Sequence, residues 1–369
     1  AASSDYPLRD VYKRQPLGVV LIVGAWNYPF NLIMAPLIGA IAAGNCAIIK
    51  PSELSPHTSR LIAEIIGETF DTGYVTVVEG GIDISQQLLA EKLDYIFFTG
   101  SPRVGKIVME SAAKHLTPVT LELGGKSPCI VTEDVNLDVA AKRIVWGKFV
   151  NAGQTCIAPD YLLVQQGVKS RLLAAIKDAI KEFYGSEPAN SPDYGRIVND
   201  GHLQRLQDLL ESGEIIVGGD INPDARYISP TVIDNVSLEA RVMQEEIFGP
   251  ILPVMTYGEL SEAIAIINRL PKPLALYIFS HNPSHQEQIL RETSSGTACI
   301  NDTLVHFITP QLPFGGVGNS GMGRYHGKAS FDTFSHYKSI LKRSFLFDVD
   351  LRYPPYRDKL RFLKWLLGG

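Results

Sequence analysis

Between residues 16 and about 122, short runs of β-branched and apolar residues alternate with stretches whose apolar positions return at helical spacing. That alternation predicts a parallel sheet covered by helices. The strand-like runs are Val19 to Val23, Cys46 to Lys50, Tyr74 to Val78, Leu93 to Phe98 and Val119 to Leu121, with helical patterns near 31–43, 56–69, 84–91 and 102–115. Ser55-Pro56 and Ser101-Pro102 each place an N-cap serine before a proline at the first helical position. In the last of these helices Val104, Ile107, Val108 and Ala112 line one face, so it is expected to lie flat on the sheet.

A second αβ region follows from residue 123 to about 330. Its helix from Leu137 to Phe149 carries Ala140, Ala141, Ile144 and Val145 on one stripe and leads into a polar loop. Leu172, Ile176, Ile180 and Phe183 mark another buried stripe, before a proline- and serine-rich loop over 185–193. A glycine-dense segment from Pro313 to Gly323 closes the region. Residues 331–345 read as an extended segment, 346–369 as a tail, and 1–15 as a polar lead to which no element is assigned. The expected fold class is α/β: a Rossmann-like parallel-sheet domain over 16–122 and a second α/β domain over 123–330.

The 369 residues suffice for two domains and a large core, and 45% apolar with 20% charged residues is ordinary for a globular protein. A net charge of -5, with no basic run before the far C-terminus, gives a nucleic-acid partner no electrostatic footprint. Cys46, Cys129, Cys156 and Cys299 have no C-x-x-C spacing and no clustered histidines, which argues against a metal site or a disulfide framework and fits a reducing cytoplasm. No signal peptide opens the chain, and no apolar run approaches the ~20 residues that span a bilayer.

The chemistry concentrates past strand ends. Asn27, Lys50, Thr99 with Ser101, and Glu122 all follow the C-termini of expected strands, the edge where open parallel sheets bind ligands. Cys156 lies in the loop Asn151-Ala152-Gly153-Gln154-Thr155-Cys156, and Glu122 is wedged in Leu121-Glu122-Leu123-Gly124-Gly125-Lys126. A thiol and a base in one chain form the pair that covalent catalysis needs, although an unpaired cysteine is more often a small buried hydrophobe. Asn27 offers an amide donor for an oxyanion, or is an ordinary turn asparagine. Lys50 and Glu53 are either polar hands for ribose hydroxyls or a surface lysine and a helix-start carboxylate.

Gly100-Ser101-Pro102-Arg103-Val104-Gly105-Lys106 fits G-x-x-x-x-G-K, but Ile107 stands where a phosphate-binding NTPase needs Ser or Thr for magnesium. Its free N–H groups at a helix start still suit a pyrophosphate. Gly316-x-Gly318-x-x-Gly321 matches the dinucleotide fingerprint by letter, yet Thr309-Pro310-Gln311-Leu312-Pro313 precedes it in place of a strand, so a tight turn is the better reading. Glu245 and Glu246 before Ile247-Phe248-Gly249-Pro250 read alone as an acidic turn, and His281 with His285 as a surface helix pair.

Taken together and in order, Ala25-Trp26-Asn27-Tyr28-Pro29-Phe30, Lys50-Pro51-Ser52-Glu53, Phe98-Thr99-Gly100-Ser101, Leu121 to Lys126, Gly153-Gln154-Thr155-Cys156, Glu245 to Pro250 and Pro313-Phe314-Gly315-Gly316 resemble the aldehyde dehydrogenase superfamily from Pro16 to about Lys342. Met322-Gly323-Arg324-Tyr325-His326-Gly327-Lys328 is most similar to class 3, the fatty and aromatic aldehyde dehydrogenases. The resemblance implies a dinucleotide-binding domain over 16–122, a catalytic domain over 123–330, NAD or NADP as cofactor, and a homodimer using 331–345. It implies that Cys156 attacks a hydrophobic aldehyde, that Asn27 holds the oxygen, and that Glu122 activates water against the resulting thioester. Trp26, Lys50, Glu53, Thr99, Gly100, Ser101, Gly105, Glu246 and Phe248 are the implied cofactor contacts, with no metal. The short lead suggests an N-terminally truncated chain. Inside the superfamily a CoA-acylating enzyme is the alternative, disfavoured by Glu122; a P-loop-like nucleotide-binding protein and an inactive truncated fold are the others. The basic, amphipathic tail segment from Lys359 to Leu367 suits either packing on its own domain or weak contact with a membrane surface.

Overall fold

The first sheet is assembled from the runs read as strands. In this computed structural model, which describes residues 8–346, 348, 352–356 and 359–367, the chain begins with β1 (Leu8–Pro16) and β2 (Val19–Val23). β3 (Cys46–Lys50), β4 (Val75–Val77), β5 (Tyr95–Thr99) and β6 (Val119–Glu122) follow. Strands β2 to β6 run parallel in the order β6-β5-β2-β3-β4. Every residue of β5 is buried, as a continuous apolar run must be when helices cover both faces. Between the strands lie α1 (Asn31–Ala42), α2 (Pro56–Thr69), α3 (Ile82–Ala90) and α4 (Pro102–Ala113).

The second sheet has the order β15-β14-β7-β8-β13-β12-β9. Its strands in chain order are β7 (Pro128–Val131), β8 (Tyr161–Gln165), β9 (Glu214–Val217), β12 (Thr231–Asp234), β13 (Ile251–Tyr257), β14 (Ala275–Phe279) and β15 (Thr297–Ile300), after the small hairpin of β10 (Ile221–Asn222) and β11 (Tyr227–Ile228) is set aside. Only β9 runs antiparallel to its neighbour in this sheet. The accompanying helices are α5 (Leu137–Phe149), α6 (Lys169–Tyr184), α7 (Asp200–Leu210), α8 (Arg241–Gln244), α9 (Leu260–Arg269) and α10 (Pro283–Glu292), whereas α11 (Gly327–Thr333) packs on α1, its Ser330 against Gly39. Ala140, Ala141, Ile144 and Val145 of α5 and Leu172, Ile176 and Ile180 of α6 are buried as their spacing predicts.

Several expectations are corrected. Ile107 points outward, 44% exposed, because α4 approaches the sheet through Gly105, where a Cβ would lie 2.7 Å from Leu123 Cδ2. Gly105, Val108 and Ala112 make the packed face instead. Ser55 does not cap α2; its hydroxyl donates to the Trp26 carbonyl at 2.9 Å, whereas Ser101 does cap α4, accepting from Val104 N–H. The glycine-dense segment returns to the first sheet as β16 (Gly321–Met322), antiparallel to β6, so that sheet is not confined to 16–122.

Residues 16–334 make one unit; residues 1–15 and 335–369 make another. Part of the lead does take up structure: β1 pairs with β17 (Ser335–Arg343), and the Arg14 guanidinium sits 5.6 Å from the Tyr337 ring centre. The segment read as extended over 331–345 is thus helical to Thr333 and strand only from Ser335. The tail carries α12 (Lys359–Leu366), on which Leu360 and Trp365 are exposed. Residues 1–7 of the lead and 347, 349–351, 357–358 and 368–369 of the tail lie outside the described residues. Among the described residues no helix is long and apolar enough to cross a membrane.

One fully buried side chain ties the first sheet's entry to two helices. Asn45 accepts from Leu17 N–H at 2.7 Å and Gly18 N–H at 3.0 Å, and donates to the Ala40 carbonyl at 3.1 Å and the Phe334 carbonyl at 2.9 Å. Removing it takes the partner from the half-buried Leu17 and Gly18 N–H groups and from the Phe334 carbonyl, while the Ala40 carbonyl keeps Asn45 N–H at 3.0 Å. Asn45→Ala is therefore expected to lower stability by about 2–4 kcal/mol in denaturant titration; a loss under about 0.5 kcal/mol contradicts this bonding.

Candidate active site

Cys156 is delivered by a strained turn. Where α5 ends, Asn151 (φ 52), Ala152 (φ 51) and Gly153 (φ 73) stand in succession in the left-handed region. Asparagine visits that region readily and glycine freely, but a buried alanine pays a steric cost there of roughly 1–2 kcal/mol. Surrounding contacts must over-determine such a turn for it to persist. Gly153 supplies one: a Cβ at this position would lie 2.2 Å from the Gly249 carbonyl oxygen, so the turn is pressed against the Gly249-Pro250 segment.

Amides supply the rest. The buried Gln154 side chain donates to the Asn151 and Arg196 carbonyls, both at 3.0 Å, and accepts from Val198 N–H at 3.0 Å. Asn27, 127 residues away in sequence, donates through Nδ2 to the Gln154 carbonyl at 3.0 Å. Asn151 Nδ2 returns a bond to the Asn27 carbonyl at 2.9 Å, and the Tyr28 and Thr155 hydroxyls share a hydrogen at 2.8 Å. The expected oxyanion donor thus meets the cysteine loop, with its second N–H still available.

The thiol keeps part of its surface open, yet enough protein surrounds it that burial is the largest influence on its titration. Burial, then Glu246, then Glu122 push its pKa up to about 12, against the pull of the backbone N–H groups of Cys156 and Ile157. Both carboxyls therefore lie within electrostatic reach of the sulfur. Glu122 ends β6 fully enclosed, and neither of its oxygens has a hydrogen-bond partner. Burial alone raises it well above the ordinary carboxylate range. Thr99, paired with Glu122 in the β5–β6 register, also has a buried hydroxyl without a partner. An unmade bond of this kind costs about 1–3 kcal/mol, which is why such groups collect at sites that bind something.

Glu246 and Phe248 sit on a segment held from two sides. On one side the buried Lys126 ammonium bonds the Asp160 carboxylate, the Val242 carbonyl at 2.7 Å and the Glu245 carbonyl at 3.1 Å, while Asp160 accepts from Ile247 N–H at 3.0 Å. On the other, Arg205 donates to the Glu246 and Ile247 carbonyls at 3.2 and 2.6 Å. Burial, then Asp160, lift Glu246 to about 8, opposed by Gly125 N–H, Lys126 and Arg205. A side chain at Gly124 would strike the Glu246 carboxyl at 2.2 Å, so glycine there is what lets the carboxyl lie across the β6 end. Phe248 (φ 48) meets the Trp26 ring edge-on at 5.4 Å, and Trp26 meets His202 at 5.5 Å.

Not every expected contact is placed to touch a ligand. Lys50 is buried and its ammonium is shared between the Pro51 carbonyl at 2.8 Å and Glu53 at 3.2 Å, so lysine and glutamate pair with each other at the β3 end. Gly105 is sealed under Leu123 and serves helix-to-sheet packing, while Gly100 and the exposed Ser101 stand at the open start of α4. His281 and His285 join no metal-binding cluster among the described residues. Lys126, Gln154, Asp160 and Arg205 were not singled out from sequence; a lone lysine after Gly-Gly within an apolar run was the one available signal.

A dinucleotide fits this set. The ends of β2, β3, β5 and β6 present Trp26 with Asn27, the Lys50–Glu53 pair, Thr99 with an unpaired hydroxyl, the exposed Ser101-capped start of α4, and Glu122 with two oxygens unpaired among the described residues. If the turn is what sets the sulfur, Gly153→Ala is expected to displace it: cysteine-dependent turnover should fall at least about a hundredfold while the chain stays folded by circular dichroism. Near-normal turnover contradicts that role.

The sequence model of the Aldehyde dehydrogenase family matches residues 3–340. The chain is 54% identical over 361 residues to the 4,4'-diaponeurosporen-aldehyde dehydrogenase of Staphylococcus aureus (strain NCTC 8325 / PS 47), covering 97% of this chain and 79% of that protein. It is 52% identical over 354 residues to the dimeric NADP-preferring aldehyde dehydrogenase of Rattus norvegicus, covering 95% and 78%. The solved structure of the substrate-bound state of Staphylococcus aureus AldH superposes with a TM-score of 0.94 at 53% identity, covering 98% of this chain and 80% of that one. Matches of this extent, on a fold that gathers Cys156, Glu122 and Asn27 at one sheet edge, place the chain in the aldehyde dehydrogenase family.

Proposed function

We propose that this protein oxidises a hydrophobic aldehyde to its carboxylic acid with NAD or NADP, through a thioester on Cys156. The observation that carries the reading is Glu122: a buried carboxyl with both oxygens unpaired, within electrostatic reach of a thiol. Once ionised, it is a stronger base than an exposed glutamate, because burial raises its affinity for the proton that it must take from water.

With its proton released to solvent, Cys156 attacks the carbonyl carbon as thiolate, and the oxygen left with negative charge accepts from the free Asn27 N–H and from the backbone N–H of Cys156. A bound nicotinamide dinucleotide supplies the acceptor for the two electrons removed from the aldehyde. Glu122 then removes a proton from the water that cleaves the thioester, and the thiol is regenerated. Glu53, held by the buried Lys50, would meet the adenosine ribose; Gly100 and Ser101, between Thr99 at the β5 end and the α4 helix that Gly105 docks on the sheet, would face the pyrophosphate; and Trp26, Glu246 and Phe248 would surround the nicotinamide ribose.

An open groove of about 590 Å³ offers apolar surface at Ala35, Ile38, Phe307, Ile308 and Pro310, but Cys156, Glu122 and Asn27 do not line it. The words diaponeurosporen-aldehyde in one relative's name and dimeric NADP-preferring in another's favour a hydrophobic aldehyde, tolerance of NADP, and a homodimer. Four free cysteines are consistent with a reducing, cytoplasmic setting.

Cys156→Ala is expected to abolish acid formation while cofactor affinity, read by fluorescence titration, stays within about threefold; retained turnover refutes the thiol's role. Glu122→Gln is expected to give one burst of reduced cofactor per site and then stall, and normal steady-state turnover refutes the base. The same variant tests the burial of Glu122. Because its folded-state pKa is raised, the folded chain holds a proton that the unfolded chain releases, so stability falls as pH climbs above the ordinary value of 4.5. The Tm advantage of Glu122→Gln over the parent should therefore grow from about pH 5 to about pH 8; a pH-independent difference contradicts it.

A further inference from the structure

Helix α7 turns one side chain toward Trp26 and another toward the segment that carries Glu246. His202 meets Trp26, and Arg205, one turn on, spreads its guanidinium over two consecutive carbonyls: Nη1 to Glu246 at 3.2 Å and Nη2 to Ile247 at 2.6 Å. It also lies 3.7 Å from the Glu245 carboxylate, which Arg241 approaches at 3.5 Å. We propose that Arg205 is a positioning residue for Glu246, fixing the direction in which that carboxyl and the Phe248 ring face the cofactor. This rests on the reading that Glu246 engages the nicotinamide ribose.

Three features single out Arg205. The next residue but one after Glu246 is Phe248 at φ 48, a conformation a bulky residue keeps only where neighbours impose it. Lys126 and Asp160 hold the segment from one side through Val242, Glu245 and Ile247, but neither touches the Glu246 carbonyl; Arg205 does. A planar fork fixes the direction of two adjacent carbonyls through two separate nitrogens, a geometry that the single point charge of a lysine does not reproduce. Arg205 is also one of three cations within electrostatic reach of the Glu246 carboxyl, with Lys126 and the buried Lys148; Asp160 opposes them, Gly125 N–H assists, and Cys156 faces the same carboxyl.

The test compares Arg205→Gln, Arg205→Lys and Glu246→Gln in the full chain, reading KM for cofactor and for aldehyde, Tm, and the pH dependence of kcat/KM for cofactor. Arg205→Gln is expected to raise the cofactor KM about tenfold or more, leave the aldehyde KM within about twofold, and move the acid limb to higher pH. Arg205→Lys should restore the acid limb, since the charge returns, but not the cofactor KM, since the fork does not. Should Arg205→Gln fail to fold, the raised cofactor KM of Arg205→Lys carries the test. A cofactor KM unchanged in both Arg205 variants while Glu246→Gln raises it overturns the proposal, as does a parallel loss in both KM values and Tm with the acid limb unmoved. Glu246→Gln with an unchanged cofactor KM instead sinks the ribose reading beneath it.

Discussion

Three successive left-handed residues, Asn151, Ala152 and Gly153, decide where the sulfur of Cys156 stands. A turn of this kind is unfavourable by itself, and it persists because distant parts of the chain close around it. Asn27 arrives from the end of β2, Gln154 reaches across to the backbone at Arg196 and Val198, and the Gly249 carbonyl fills the space a side chain on Gly153 would need. The site is therefore a property of the assembled fold, and no short peptide containing Cys156 could reproduce it.

Electrostatics compound the constraint. The protein encloses two carboxyls, Glu122 and Glu246, beside a thiol, and burial makes all three hold protons more tightly than they do in water. Lys126 with Asp160 and the backbone bonds of Arg205 organise one of these carboxyls, whereas Glu122 is left with no partner at all. That contrast separates a group positioned to hold something from a group kept free to accept a proton. Stability is given up at Glu122, and the surrounding apolar core offsets it.

Much of the fold was legible because its central strands, such as β5, β7 and β14, are buried on both faces. β2 and β3 follow the boundaries read from their apolar runs, and α5 ends at Phe149 as its stripe predicts. What periodicity could not carry was set by single contacts. Gly105 packs under Leu123 and turns Ile107 outward; Ser55 spends its hydroxyl on the Trp26 carbonyl; β16 returns from residue 321 because a glycine there can lie against the Leu121 carbonyl. β1 escaped notice since a lone edge segment without apolar alternation acquires its order from β17, which lies hundreds of residues on. At the site, Cys156, Glu122 and Asn27 stood out by their unusual surroundings, but Lys126, Gln154 and Arg205 act through backbone carbonyls, and Asp160 through Ile247 N–H and Lys126, whose positions only the folded chain defines.

The coupling of the sulfur to Glu122 is open to one direct measurement: the rate of Cys156 alkylation by iodoacetamide as a function of pH, followed by peptide mass spectrometry, in the parent and in Glu122→Gln. The account predicts a rate that climbs about tenfold per pH unit without a plateau below about pH 10, and a curve displaced to lower pH when the carboxyl is removed. A plateau near neutral pH, or curves that coincide, would contradict a buried thiol facing a buried carboxyl.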